Sequence, residues 1–169
     1  PDGRYGRPGF AAVLEEISRA WREERSDVVQ SAARLTERLR GFANAGPPGV
    51  SPVPGPESLA SALRQFEAAF DRRRGGFGSA PKFPRPAELL FLLREWKRTG
   101  EPAALEMAVQ TLRAMADGGM RDHVGGGFHR YSVDADWRVP HFEKMLYDQA
   151  QLSLAYLEAY QATADSGFA

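Results

Sequence analysis

The stretch Arg121–Gln149, RDHVGGGFHRYSVDADWRVPHFEKMLYDQ, holds all three histidines of the chain together with acids, arginines, a lysine and a triple glycine. It lies between two strongly helical patterns and has no low-complexity bias. It therefore reads as a long ordered loop of the kind that carries sites, and not as a linker. On its N-terminal side, Pro102 starts a helical pattern through Leu105, Ala108, Leu112 and Met115 that stops at Gly118 and Gly119. On its C-terminal side, Pro140 is expected to open a helix in which Phe142, Leu146, Ala150, Leu154 and Leu157 line one face. Met145, Leu152, Tyr156 and Tyr160 cover much of the rest, so that helix is expected to be buried nearly all round.

Further out the pattern stays helical. Pro86 starts a helix through Leu89, Leu90, Leu93 and Trp96 that ends at Thr99 and Gly100, and Leu59, Leu63, Phe66 and Phe70 mark another before Gly75. Phe10, Val13, Leu14, Ile17 and Trp21 predict an amphipathic helix over about residues 8–24. Ser26 or Asp27 caps a second helix that carries Val28, Ala32, Leu35 and Leu39 and ends near Gly41. The Pro/Gly-rich run 46–56 reads as a linker, dividing residues 1–45 from 57–169.

GGF occurs at Gly75–Phe77 and again, fifty-one positions later, at Gly126–Phe128, with a proline and a buried helix after each copy. Such a period suggests repeated helix pairs, whose long loops emerge at one end of an array of antiparallel hairpins. The polar residues of both loops then share one mouth.

Composition narrows the function. The 169 residues are 43% hydrophobic, enough for a real core, and 22 basic side chains balance 22 acidic ones, which argues against nucleic acid or anionic lipid as partner. There is no cysteine and no apolar run of the ~18 residues that a membrane span needs, so a cytoplasmic setting is expected. The first residue is proline, which suggests a chain that begins partway through a longer protein.

GGFGSAPKFPRP at 75–86 together with VGGGFHRYSVDADWRVPHFEKMLYDQAQL at 124–152 resembles the signature of the thioredoxin-domain-containing proteins related to spermatogenesis-associated proteins. The resemblance implies an N-terminal thioredoxin-like domain followed by an (α/α)6 toroid similar to the N-acylglucosamine 2-epimerases and six-hairpin glycosidases. It makes residues 1–45 the helical tail of the former and residues 57–169 the opening hairpins of an all-α toroid. The remainder of the same polypeptide is then a partner, and truncation is expected to expose apolar helix faces and favour oligomers.

In that frame the expected ligand is a carbohydrate, with no cofactor. The catalytic candidates are His129, His141, Glu143 and Asp148, and the substrate-binding candidates are Arg130, Asp134, Trp137, Lys144 and Tyr147. A histidine titrates near neutrality and suits proton abstraction beside a carbonyl, as an epimerase or isomerase requires. Glu143 or Asp148 suits acid or base work, and paired acids suit a glycosidase. Lys144 and Tyr147 would bind hydroxyls. On helical spacing Lys144 can pair with Asp148 and Glu143 with Tyr147, so a structural network is the alternative for all four. Asp134 and Asp136 straddle Ala135, and one of the two suits a turn cap; Trp137, with Phe128 and Tyr131, suits either stacking on a sugar or packing. His123 reads as structural or solvated. The histidine spacings match no compact zinc motif, so no metal is expected, and the first glycine loop lacks the ending of a phosphate-binding loop. A non-catalytic binding module attached to a redox domain is the competing reading.

Overall fold

The computed structural model describes residues 6–43 and 54–169, and it divides into two compact units on either side of residue 53. The linker expected over 46–56 lies, as far as residue 53, outside the described residues, as do the first five residues of the chain. In the first unit, α1 (Phe10–Glu23) and α2 (Arg25–Ala43) are separated by Glu24 alone, whose N–H donates to Ala20 O at 2.9 Å. Neither helix buries a side chain: Phe10, Leu14, Ile17, Trp21, Leu35, Leu39 and Phe42 are all exposed.

The second unit contains α3 (Pro56–Ala69), α4 (Pro86–Thr99), α5 (Pro102–Asp117), α6 (Leu146–Thr163) and a short 3-10 turn at Ser166–Phe168. Proline opens α3, α4 and α5, where its missing N–H costs no hydrogen bond and its φ is already helical. Gly100 ends α4 in the left-handed region at φ 76° and donates to Trp96 O, and Pro102 starts α5 at once, so α4 and α5 form a tight antiparallel hairpin. Leu89, Leu92 and Leu93 of α4 pack with Met107, Leu112 and Met115 of α5 and with Leu152 of α6. Ala104, Ala108, Ala155 and Ala159, all fully buried, let the helix backbones come close. Each buried leucine contributes about 1.5–3 kcal/mol of hydrophobic stabilisation. Phe66 of α3 closes the core edge-on to Phe77 and tilted against Phe91.

Two expectations for the last helix are corrected. It starts at Leu146, not Pro140, because residues 139–143 are hydrogen-bonded back to residues 130–133. Val133 N–H donates to Val139 O, His141 N–H to Tyr131 O and Arg130 N–H to Glu143 O, and Met145 caps the helix in an extended conformation. Nor is α6 buried all round. Asp148, Leu152, Ala155 and Ala159 form its buried face, while Leu146, Leu154, Leu157 and Tyr160 are exposed in this chain. Among the described residues there is no strand beyond isolated bridges, and no helix is long and apolar enough to cross a membrane.

Candidate functional site

The two long loops, between α3 and α4 and between α5 and α6, are copies of one device. In the first, Asp71 N–H donates to Gly76 O and Gly75 N–H to Asp71 O; in the second, Asp122 N–H donates to Gly127 O and Gly126 N–H to Asp122 O. The bridges Phe70–Phe77 and Arg121–Phe128 keep the fifty-one-residue offset. Gly75, Gly76, Gly126 and Gly127 all have φ between 70° and 79°, a region that favours glycine. Each aspartate then takes a lysine. Lys82 Nζ donates to Asp71 Oδ2 and Gly75 O, both at 2.7 Å, and Lys144 Nζ donates to Asp122 Oδ2 at 2.6 Å and Gly126 O at 2.7 Å.

This pairing corrects the reading of Lys144. It is neither on a helix nor paired with Asp148, and its ammonium is occupied as that of the fully buried Lys82 is. Its task is to lock a loop. Burial alone would raise the Asp71 carboxyl, but Lys82 and the N–H groups of Arg74 and Arg73 outweigh it and hold the group below the usual carboxylate range. Lys144, then the N–H groups of Gly125 and Val124, hold Asp122 well below that range. Folded carboxylates with depressed pKa values add stability that is complete above the unfolded value and lost as the pH falls through the folded one. We expect the melting temperature to be flat above about pH 5 and to drop below about pH 4, with a shallower drop for Asp122→Asn in a thermal titration.

The second copy carries a hairpin, residues 129–143, between its aspartate and its lysine. Asp134 caps the hairpin tip, accepting from Asp136, Arg138 and Val139 N–H, with Val139 at 2.6 Å. Burial would raise this carboxyl, but those donors keep it low. Trp137 is 1% exposed and donates through Nε1 to Arg74 O at 3.0 Å, so it is packing between the loops and has no face for a sugar. Neither residue is placed to bind substrate. The two loops meet: Lys82 and Ser132 exchange backbone hydrogen bonds, and Arg74 pairs with Asp136.

What remains facing solvent is a row of planar groups. Tyr147 and Phe83 both lie against the Arg130 guanidinium, at 5.3 and 5.1 Å from its carbon; Phe83 stacks on Tyr131 at 4.8 Å; Tyr131 stacks on His141 at 4.7 Å. Tyr147 and His141, at the two ends, are exposed. His141 Nδ1 lies 3.6 Å from Glu143 Oε2, with both side chains about half exposed, at 49% and 44%. Nε2 of His141 has no partner among the described residues. Asp148, by contrast, is buried and accepts from Arg130 at 2.9 and 3.1 Å, which withdraws it from the acid or base role. Glu143 pairs with His141 and not with Tyr147.

His129 sits edge-on to Phe142 at 5.1 Å, and its Nδ1 is buried without a hydrogen-bond partner. It is less accessible than His141. His123 Nε2 lies 3.0 Å from Gly118 O, a structural contact as expected. Phe83 was not singled out by the sequence reading, because only the Lys82–Ser132 pairing brings it to Tyr131. No group of three or more metal-ligating side chains occurs among the described residues. A separate cavity of about 570 Å³, lined by Phe128, Leu152, Tyr156, Tyr160 and Phe168 among others, contains none of the catalytic or substrate-binding candidates, though the stacking candidate Phe128 borders it.

No family model matches the chain. It is 42% identical over 98% of its length to spermatogenesis-associated protein 20 of Homo sapiens and 40% identical over 99% to the protein of that name from Rattus norvegicus. The chain spans 22% of the length of each of these relatives. Its fold is similar to that of cellobiose 2-epimerase from Spirochaeta thermophila DSM 6192, with a TM-score of 0.55 and 24% identity, over 66% of this chain and 32% of that one. The helical hairpins described above are therefore part of an (α/α)6 toroid, in a chain homologous to a segment of spermatogenesis-associated protein 20.

Proposed function

We propose that these loops form one wall of a sugar site in an epimerase-like toroid, with His141 as the proton-transfer group. The observation that carries this reading is the exposed His141–Glu143 pair at the end of the stacked row. Glu143 beside Nδ1 orients the ring, and this leaves the neutral imidazole's Nε2 to take a proton from the carbon next to a sugar carbonyl. The C–H electron pair moves toward the carbonyl oxygen to give an enediolate; a proton from water on the opposite face then inverts the centre, and the imidazolium of His141 returns its proton to the hydroxide left behind through solvent. The planar row offers a surface for a sugar ring. A hydrolase with two free acids is less well supported, since Asp134, Asp136 and Asp148 are all occupied. In the same reading residues 1–45 are the tail of a thioredoxin-like domain, the setting is cytoplasmic, and no cofactor takes part.

The test is solvent deuterium exchange into reducing sugars by the full-length protein. His141→Ala should lower the exchange rate about 100-fold or more, and Glu143→Gln by about tenfold. Undiminished exchange in His141→Ala would overturn the assignment.

A further inference from the structure

Arg130 meets its carboxylate through a single nitrogen. Nη1 donates to both Oδ1 and Oδ2 of Asp148, while Nε and Nη2 have no acceptor among the described residues. The Arg130 side chain is 27% exposed, and neither of those nitrogens is among the fully buried, unpartnered ones of the described residues. A guanidinium that lies against both Phe83 and Tyr147 therefore keeps unpaired donors on the partly exposed stacked wall. Its charge is already matched by Asp148, which is 3% exposed. The neighbouring cations are matched too: Lys82 by Asp71, Arg74 by Asp136 and Lys144 by Asp122. Arg138 lies at the far tip of the hairpin, and Glu143 adds negative charge beside His141.

We propose that Arg130 and Asp148 are a specificity pair that selects uncharged sugars over phosphorylated or acidic ones. The free edge of Arg130 donates to sugar hydroxyls. Asp148 is a positioning residue that fixes the guanidinium and cancels its attraction for anions. Without that carboxylate, the same planar fork would match a phosphate or carboxylate in two-point contact. This inference rests on the sugar-site reading above.

The experiment is calorimetric titration of the full-length protein with glucose, mannose, N-acetylglucosamine and cellobiose, and with the phosphate monoesters of the three monosaccharides. Wild type should bind at least one neutral sugar about tenfold or more tighter than its phosphate ester, and Asp148→Asn should reduce that ratio about tenfold or more, with Asp148→Glu restoring part of it. A phosphate ester that binds wild type as tightly as the neutral sugar, or a ratio unchanged in Asp148→Asn, overturns the pair while leaving the sugar site standing. Absence of binding by every sugar overturns the site and the pair together. Should Asp148→Asn not fold, the wild-type ratio and the loss of neutral-sugar binding in Arg130→Gln decide the matter.

Discussion

Trp137→Ala is expected to destabilise the second unit by about 3–5 kcal/mol, read as a lowered midpoint in denaturant unfolding at unchanged slope. The indole fills the space between the two loops and is 1% exposed. Its Nε1 ties to Arg74 O, and its own carbonyl accepts from Gly119 N–H at 2.7 Å. Lys82 Nζ lies 5.6 Å from the ring centroid. Truncation thus leaves a cavity and an unpaired carbonyl, and it removes a face that the buried ammonium rests on. Trp137 also sits at φ 61°, a conformation uncommon for a bulky side chain, which only the surrounding contacts maintain. Gly76→Ala should reach the same outcome from the other side. Gly76 has φ 79°, and an added Cβ would come within 2.5 Å of the Trp137 ring. A variant Trp137→Ala within about 1 kcal/mol of wild type would show that the loops are held by other contacts.

Asp71→Asn is the second large effect, at about 3–5 kcal/mol, because it leaves the buried Lys82 ammonium with neutral acceptors and no balancing charge. Lys82→Met should cost less, since Asp71 keeps the N–H donors of Arg73 and Arg74. The double variant should recover much of the loss, as apolar replacement of a buried pair often does. In the second loop Lys144→Met should cost only a fraction as much, for Lys144 and Asp122 are 35% and 26% exposed, and water can solvate whichever partner is left. Equal losses in the two loops would contradict this account.

The helices were legible because proline starts, glycine stops and apolar spacing agree at α4 and α5, whereas α3 was marked by apolar spacing alone and ends at Ala69, short of the arginines before Gly75. Pro140 misled for a physical reason: it has the same local signal, but residues 139–143 pair with residues 130–133, and that pairing overrides local preference. The GGF repeat was legible, yet the equivalence of Lys82 and Lys144 was not. Lys82 follows its aspartate by 11 residues and Lys144 by 22, so the intervening hairpin hides the match. The site fared likewise. Spacing placed Lys144 and Asp148 together on a helix, whereas each finds its partner far back in the chain, at Asp122 and Arg130. His141 and Glu143 could be named from their chemistry, but their pairing depends on an extended segment that periodicity did not show.

The hairpin has a further consequence. It leaves the helical frame just after the Asp122 turn and rejoins it at Lys144, so its two ends are stapled to each other before α6 begins. A segment so anchored behaves as an interchangeable cassette. A different hairpin spliced between the staple points would inherit the same exit and entry geometry, and new chemistry could be installed at the mouth without shifting a helix, provided that it kept a side chain to fill the place of Trp137.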